Sequence, residues 1–551
     1  VFCCSALNQV MSLFSRNFLF LTCIIIASIV LSVRVMNVHA DHIADPLANE
    51  IHNQIIKPDT ITTELMLDWS SIESFYRKRN YKPVWLTTSG PDERANQLRQ
   101  TLHVADQEGL NPADYHIDTI TQLWKLRSLD ELAALDIYLT DAFFRYAIDV
   151  HRGRDRPNTP DQNGQKWHIK LPSFNIVDEL NLALKSKDFE KSLQQLPPSH
   201  LGYQRLRDAL TSLRQIARHG AWPIMPPGPS LRKGMKHIQV PLLRQRLLAD
   251  GSLTMAMAKN DNKEFDQSLS YAVQRFQVRH GLTMDGIVGP KTRTAMNVPI
   301  DERIKQIKLN MERWRWLPRK LGKRYIIVNT AAYNLAAIDN DQILFTMWVV
   351  IGKEQRQTPV INGVMYTIVF NPYWTVPMKL VFEDLIPRQL QNPNYLKRKK
   401  IRVMRNLAKN LEVDPEKIDW QSFTQESFPY VLRQDPGPDN PLGRIKFLFS
   451  NKYEVYLHDT PKRHLFDKSK RAFSAGCIRI ENPVRLAEFL LADEPGWDRT
   501  RISRAIASGK TRELELKQRT PVYLLYLTSW VGEDDTIYFY DDVYDRDKSL
   551  Q

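Results

Sequence analysis

The spacing of apolar residues divides the chain into segments of different character. Between about residues 65 and 214, apolar positions recur at helical spacing, which predicts a helical domain over residues 41–222. Residues 215–235 contain four prolines and three glycines, a density that breaks both helix and strand and predicts a domain boundary. The clearest helical face comprises Leu139, Ala142, Phe143, Tyr146, Ala147 and Val150.

A compact unit of three predicted helices follows over residues 236–298. Apolar residues repeat at helical spacing over residues 240–248 and again over residues 269–276. Pro290 follows a glycine and favours the first position of a third helix, where its missing N–H costs nothing.

From residue 325, short β-rich runs replace the helical pattern and predict a β-rich domain over residues 323–530, so the fold class is multidomain α+β. An insertion at about 378–442 interrupts it, with residues 379–390 and 403–411 predicted to be helical, and an insertion of this length is more often functional than idle. Residues 531–551 are predicted to be a C-terminal strand and tail. The predicted strands lie at residues 325–328, 335–338, 345–351, 367–370, 447–449, 454–457, 522–527 and 537–540, the last of which is expected to close the sheet.

The charge balance is basic, with a formal net charge of +14 over 551 residues. Such an excess suits nucleic acid, a membrane surface or another anionic polymer such as a cell wall. The basic residues are spread along the chain and no stretch resembles a nucleic-acid-binding module. We therefore expect no nucleic-acid partner, and a solvated basic surface remains the alternative to a wall polymer.

Residues 11–40 carry the features of an export segment. An apolar run over residues 18–33 lies between Arg16 and Arg34, and residues 38–40 fit a small-residue cleavage site. The run is slightly long for a signal peptide and slightly short for a spanning helix. A cleaved signal and an uncleaved anchor in the inner membrane are both open, and either predicts the periplasm or cell envelope.

The candidate chemistry centres on Cys477. The other three cysteines lie in or before the export segment, so this thiol has no partner for an internal disulfide and is expected to be reactive. His458, 19 residues upstream, ends a predicted strand, and Cys477 follows a turn of small residues. A base at a strand end beside a nucleophile in a tight turn forms a Cys/His acyl-transfer site. Gly476 permits close backbone approach, and the amides of Gly476 and Cys477 are expected to face an oxyanion.

These residues resemble the L,D-transpeptidase signature, a His followed by a Ser/Thr-x-Gly-Cys-x-Arg run. Many family members carry a second His directly before the Gly, where this sequence has Ala475, which excludes a side-chain role there. The run of residues 371–377 also matches a family stretch that precedes a lid, which implies that the insertion is a mobile cap. The matching signature residues are His458, Ser474, Gly476, Cys477, Arg479 and Asn482.

Two further resemblances cover the N-terminal half. Residues 236–298 resemble the three-helix peptidoglycan-binding domain, and residues 81–86 with 109–115 resemble the scaffold region of larger L,D-transpeptidases. The three-helix unit shows no aromatic stacking platform, so glycan binding and a spacer role are equally open.

The family resemblance implies a cell-wall L,D-transpeptidase. Cys477, as a thiolate paired with the His458 imidazolium, would attack the diaminopimelate–D-Ala bond of a tetrapeptide stem and form a thioester. His458 would act as base and then acid, and an acceptor amine would complete a 3→3 cross-link. The expected partners are peptidoglycan stem peptides, as donor and acceptor, and carbapenem-type inhibitors, with no cofactor and no metal. The expected substrate-binding residues are Tyr456, Arg479, Ser474 and Trp374.

Four alternatives qualify this interpretation. His464 is a rival base in an apparent loop. Water in place of the acceptor amine would make the protein an L,D-carboxypeptidase. A non-catalytic wall-binding scaffold would not need the His458–Cys477 pair, and a papain-type endopeptidase would place Cys before His.

Overall fold

The computed structural model describes residues 46–57, 66–87, 90–154, 167–168, 173–255 and 263–548. The predicted export segment, residues 11–40, lies outside these ranges. Within them, no helix has the length and apolarity needed to cross a bilayer. The chain groups into two compact units, one made of residues up to 105, 111–147 and 175–194, and the other of residues 106–110, 148–174 and 195–551.

The N-terminal part is helical, as predicted. Its longest helix, Leu129–Arg152, buries the whole apolar face that the sequence indicated. Asp136 on the same helix is also buried and accepts hydrogen bonds from the Val84 and Trp85 amides, which fixes the loop before a short hairpin. The helices are α1 Pro46–Ile56, α2 Trp69–Lys78, α3 Glu93–His103, α4 Ile117–Leu123, α5 Leu129–Arg152, α6 Ile176–Lys185, α7 Phe189–Gln194 and α8 Leu201–Arg218, and the hairpin is β1 Leu86–Thr87 with β2 Gly90–Pro91.

Three helices with a separate apolar core form the next unit, again as predicted. They are α9 Val240–Ala249, α10 Gln267–Arg279 and α11 Pro290–Met296, and Pro290 opens the third. Their facing apolar side chains, including Leu243, Leu247 and Phe276, are fully buried. Helix α12, Ile300–Arg315, follows and packs against α8.

Nine of the described strands form one sheet in the order β13-β5-β14-β12-β11-β6-β15-β3-β4, and β4 also pairs with β5, so the sheet closes on itself. Its strands and helices are β3 Arg324–Asn329, β4 Asn334–Asp339, β5 Gln342–Gly352, β6 Ile361–Phe370, then, after the insertion, β11 Ile445–Phe449, β12 Leu457–His458, β13 Ala472–Ser474, β14 Ile478–Ile480, α16 Pro483–Leu490, α17 Arg499–Ala507 and β15 Arg512–Leu525. The inward side chains of this closed sheet and of α16 make the largest buried cluster.

The insertion between β6 and β11 combines short helices with a second sheet, ordered β7-β10-β8-β9. Residues 379–390 are helical as predicted, but the helix predicted over 403–411 is wrong. There Ile401 and Val403 are buried and Arg402 is less so, an alternation that fits a strand paired with β10. Its elements are β7 Trp374–Thr375, α13 Met378–Leu380, a π-helical turn Val381–Leu385, α14 Ile386–Gln391, α15 Tyr395–Arg398, β8 Ile401–Asn406, β9 Leu411–Val413 and β10 Val431–Gln434.

The C-terminal hairpin also differs from expectation. Residues 537–540 were expected to close the main sheet, but β17 Ile537–Phe539 pairs with β16 Ser529–Val531. The β4–β5 pairing already closes that sheet and leaves no free edge there for β17. Single 3-10 turns cover Ala105–Glu108, Pro112–Tyr115, Glu354–Arg356, Pro415–Lys417 and Arg463–Leu465.

Candidate active site

The parallel pairing of β12 and β14 brings the two halves of the motif together. Leu457 pairs with Ile478 and His458 pairs with Arg479, and the Ile478 amide donates to the Tyr456 carbonyl at 3.1 Å. Residues opposite each other share a face and side chains alternate along a strand. Tyr456, His458, Cys477 and Arg479 therefore lie on one face, as the sequence pattern required of a Cys/His site.

The turn before the thiol is held by buried hydrogen bonds. Gly476 has φ of +120°, a conformation that a residue with a Cβ rarely adopts, so glycine is required here. The Thr358 hydroxyl donates to the Gly476 carbonyl at 2.8 Å and accepts from the Gly352 amide at 2.9 Å. The buried Tyr544 hydroxyl in turn donates to the Gly352 carbonyl at 2.6 Å.

Ser474 closes the same turn from within. Its buried hydroxyl donates to the Cys477 carbonyl at 2.6 Å and accepts from the Gly476 amide at 3.1 Å. The Gly476 amide is thus engaged within the turn, which favours the Cys477 amide as an oxyanion donor, while the role of Gly476 stays a prediction. Ser474 therefore shapes the turn, and its expected role in binding substrate stays a prediction.

His458 is buried and oriented as a base. Its Nδ1 lies 2.6 Å from the Asp459 carbonyl oxygen, and because a carbonyl only accepts, Nδ1 carries the proton and Nε2 keeps its lone pair. Burial, reinforced by the positive charge of Arg479, lowers the pKa of His458 to about 3. The imidazole is therefore neutral at physiological pH.

Cys477 is half-buried, and its Sγ donates to the Glu454 carbonyl oxygen at 3.9 Å. Burial raises the pKa of the thiol above its ordinary value, while hydrogen bonding from Tyr456 and the charges of Lys446 and Arg479 work in the opposite direction. The resting pair is then a neutral thiol beside a neutral imidazole. Desolvation penalises both charges of the expected thiolate–imidazolium pair, whose formation stays a prediction.

Lys446 is a site residue that the sequence interpretation missed. On β11 it pairs directly with His458, and its Nζ lies 4.0 Å from the centroid of the Tyr456 ring. Burial lowers the pKa of this lysine, and the charge of a Cys477 thiolate raises it, so the two groups interact. The available signal was the alternation of β11, in which Lys446 falls between the core residues Ile445 and Phe447.

The remaining predicted residues lie in different surroundings. Arg479 is half-buried on the face that carries the thiol, and burial lowers its pKa while the thiolate charge raises it. Trp374 instead pairs through β7 with β10 and packs against the apolar cluster of the insertion. His464 is exposed in a 3-10 turn rather than on β12.

Ion pairs join the insertion to the loop at residues 354–358, which also contacts the turn at residues 474–477. The Arg356 guanidinium contacts both carboxylate oxygens of Asp384, at 2.6 and 2.9 Å, and the Glu383 carboxylate at 2.6 Å. Two residues further on, Thr358 holds Gly476. Within the described ranges, no group of three His, Cys, Asp or Glu side chains is arranged to hold a metal ion.

Three family models match the chain. Residues 323–524 match the L,D-transpeptidase catalytic domain, residues 236–296 a putative peptidoglycan binding domain, and residues 70–210 a scaffold domain. Together with the closed sheet and its Cys/His face, these matches define a multidomain protein with an L,D-transpeptidase catalytic domain. The resemblance inferred from the sequence is confirmed for residues 323–524, which match the model of the L,D-transpeptidase catalytic domain.

A curated relative, a putative L,D-transpeptidase of Haemophilus influenzae, is 36% identical over 245 residues, which are 44% of this chain and 48% of the relative. The chain thus spans about half the length of that relative. The crystal structure of an L,D-transpeptidase from Xylanimonas cellulosilytica aligns with 54% of this chain and 99% of that structure, at 15% identity and a TM-score of 0.17. One from Stackebrandtia nassauensis aligns with 55% and 97%, at 10% identity and a TM-score of 0.21. Scores this low carry no conclusion about this chain.

Proposed function

We propose that the protein is a cell-wall L,D-transpeptidase that makes 3→3 cross-links between peptidoglycan stem peptides in the periplasm. The observation that carries the proposal is the pairing of β12 with β14, which sets His458 and Cys477 on one face of the sheet. The family match of residues 323–524 supports the same chemistry.

Acylation begins from the neutral pair. As the Cys477 sulfur attacks the carbonyl carbon of diaminopimelate in a tetrapeptide stem, its proton passes to Nε2 of His458. The Cys477 amide stabilises the oxyanion of the tetrahedral intermediate. The bond from carbon to the D-alanine nitrogen then breaks, the imidazolium returns its proton to that nitrogen, and D-alanine leaves behind a thioester.

Transfer reverses these roles. The side-chain amine of a second stem attacks the thioester, gives its proton to His458 and forms the new amide. The carbon–sulfur bond breaks and Cys477 recovers a proton. No oxidant, metal or cofactor enters the balance of either step.

Two basic residues next to His458 offset the effect of burial on the Cys477 thiol. A neutral thiol is a poor nucleophile, and burial raises its pKa further. Lys446 and Arg479 lie on either side of His458, and their positive charges favour the negative charge that develops on the sulfur when the proton leaves. We assign both residues to positioning and charge stabilisation, and Tyr456 to hydrogen bonding with the sulfur.

Product analysis tests the assignment. Purified disaccharide-tetrapeptide is incubated with the full chain, and the products are identified by mass spectrometry. A dimer with the loss of one D-alanine supports the transpeptidase. A tripeptide monomer alone identifies an L,D-carboxypeptidase, and unchanged substrate in the presence of an intact thiol identifies a non-catalytic wall-binding protein. Both of these outcomes contradict the proposal.

A further inference from the structure

A groove of about 690 Å³ lies between the three-helix unit and the outer face of the catalytic sheet. Val278 and the loop at residues 281–284 form one wall, and Trp348 on β5 lies on the opposite wall. The C-terminal hairpin contributes Trp530, Tyr538 and Tyr540 to the same groove. The groove thus has the aromatic platform that the three-helix sequence alone lacks.

Contacts with the end of α10 hold the C-terminal hairpin so that its aromatic side chains line the groove. Arg279, the last residue of α10, donates from its guanidinium to the Ile537 carbonyl at 3.0 Å. The ring of the next residue, His280, lies 5.8 Å from the ring of Phe539. Because side chains alternate along β17, burying Phe539 against this unit turns Tyr538 and Tyr540 to the opposite face.

The hairpin rings are close together and partly exposed. Those of Tyr538 and Tyr540 are almost parallel, at 14°, with centroids 6.3 Å apart, and Trp530 pairs with Tyr538 across the hairpin. On the far wall the Trp348 side chain is 43% exposed, and the Arg471 guanidinium lies 4.0 Å from the centroid of its ring. A ring face attracts the C–H groups of a sugar, because its π-system carries negative charge.

Charges around the groove do not select an ionic ligand. Lys470 and Arg471 are balanced by Asp467, Glu481 and Asp541. Aromatic faces flanked by donors and acceptors of both signs suit a neutral, hydroxyl-rich ligand with one apolar face, and a pyranose ring has this character.

The groove and the thiol lie on the same face of the sheet. Val350 pairs with Arg479, so Trp348, two residues earlier on β5, shares the face that carries Cys477. The Glu481 amide donates to the Trp348 carbonyl at 3.1 Å, and Glu481 follows Cys477 by four residues, about 13 Å of extended chain. An extended stem of three or four residues has about the same length, so a sugar in the groove would present its stem to the thiol.

We propose that this groove binds the hexosamine glycan strand of peptidoglycan, with the C-terminal hairpin as the stacking platform and the three-helix unit as the second wall. The ligand class rests on the proposed function. The binding itself does not require the chemistry at Cys477, which allows the two to be tested apart.

The test measures binding of soluble, peptide-free glycan strands to the full chain carrying Cys477→Ala, by calorimetry. Adding Tyr538→Ala or Trp348→Ala is expected to weaken binding about tenfold, as loss of an aromatic anchor does. Tyr538→Phe keeps the ring and is expected to bind like the parent. The matched control is Tyr271→Ala, which removes a 52% exposed tyrosine from α10 outside the groove.

Equal binding by the parent, Tyr538→Ala and Trp348→Ala would overturn the proposal, and so would an equal loss in Tyr271→Ala. Thermal unfolding of each variant separates lost binding from lost folding, and the exposed position of Trp348 keeps one groove variant free of core disruption. Groove-dependent glycan binding without thioester formation in the wild-type chain would refute the proposed function alone. A thioester without groove-dependent binding would refute the groove alone.

Discussion

The turn at residues 474–477 and the insertion that follows β6 differ in the burial of their side-chain polar contacts. In the turn, the hydroxyls of Thr358, Ser474 and Tyr544 are buried and bonded to backbone groups. In the insertion, which has its own apolar cluster, the side-chain polar contacts include exposed ion pairs, such as Lys397 with Glu416 at 2.6 Å and Lys400 with Asp439 at 2.8 Å.

The difference separates a fixed part from an adaptable part. A buried hydrogen bond is costly to lose because its partner stays unpaired, whereas an exposed ion pair contributes little and is screened by salt. In the basic run at 397–400, Lys397 and Lys400 are paired with carboxylates of the insertion itself. Mobility of this cap stays a prediction, and Arg356 is its ion-pair attachment beside the turn.

Replacing the base is expected to have the largest effect. His458→Gln removes the acceptor of the thiol proton, so the rate of Cys477 acylation by a tetrapeptide stem is expected to fall about 10²- to 10⁴-fold. Stopped-flow or quenched mass spectrometry follows the rate. The exposed His464→Gln serves as the matched control, and a loss confined to His464→Gln would show that the base is misassigned.

Acid is expected to destabilise the fold through the buried imidazole. His458 titrates near 6.5 when unfolded and at about 3 when folded, so between these values the unfolded chain binds more protons and stability falls as pH falls. Between pH 7 and pH 4.5, protonation of this residue alone is expected to lower the free energy of unfolding by about 2–3 kcal/mol. Urea unfolding measures it, and His458→Gln should flatten the slope. An identical slope in that variant would contradict a neutral, buried imidazole.

Removing one polar group from each region, a hydroxyl from the turn and an ammonium from the insertion, sharpens the contrast between them. Thr358→Val leaves the Gly476 carbonyl and Gly352 amide without their partner, at an expected loss of about 1–3 kcal/mol in the free energy of unfolding. Lys400→Gln in the insertion is expected to change it by less than about 0.5 kcal/mol. Denaturant titration at low and high salt compares them, and similar losses would erase the distinction.

The smallest expected effect concerns the lysine beside the base. Lys446→Met removes a charge that favours the thiolate, so the pKa of Cys477 is expected to rise. The pH dependence of Cys477 alkylation by iodoacetamide, located by peptide mass mapping, reports this shift. Exposed Lys452→Met is the control, and equal profiles for the two variants would remove Lys446 from the site.

The sequence predicted those features that depend on local pattern. Helix α5, the three-helix unit and the strand ending at His458 follow from periodicity and turn residues. The alternation at residues 401–403 also carried a strand signal, which the helical prediction for 403–411 overlooked.

Other features depend on packing between distant segments. The local sequence pattern does not determine which strand pairs with β17, the register of β12 against β14, or how deeply His458 is buried. The engagement of the Gly476 amide by Ser474 depends on a side-chain rotamer, and the role of Lys446 depends on the strand beside it. Such properties follow from the closed sheet as a whole.

Trapping the acyl-enzyme is the most direct test of the proposal that Cys477 is the nucleophile. The full chain is mixed with disaccharide-tetrapeptide, quenched in acid within seconds, digested and mapped by mass spectrometry. A thioester is expected on Cys477 with the mass of the stem less D-alanine, and none is expected in Cys477→Ala. A thioester or ester at any other residue, or full turnover by Cys477→Ala, would contradict it.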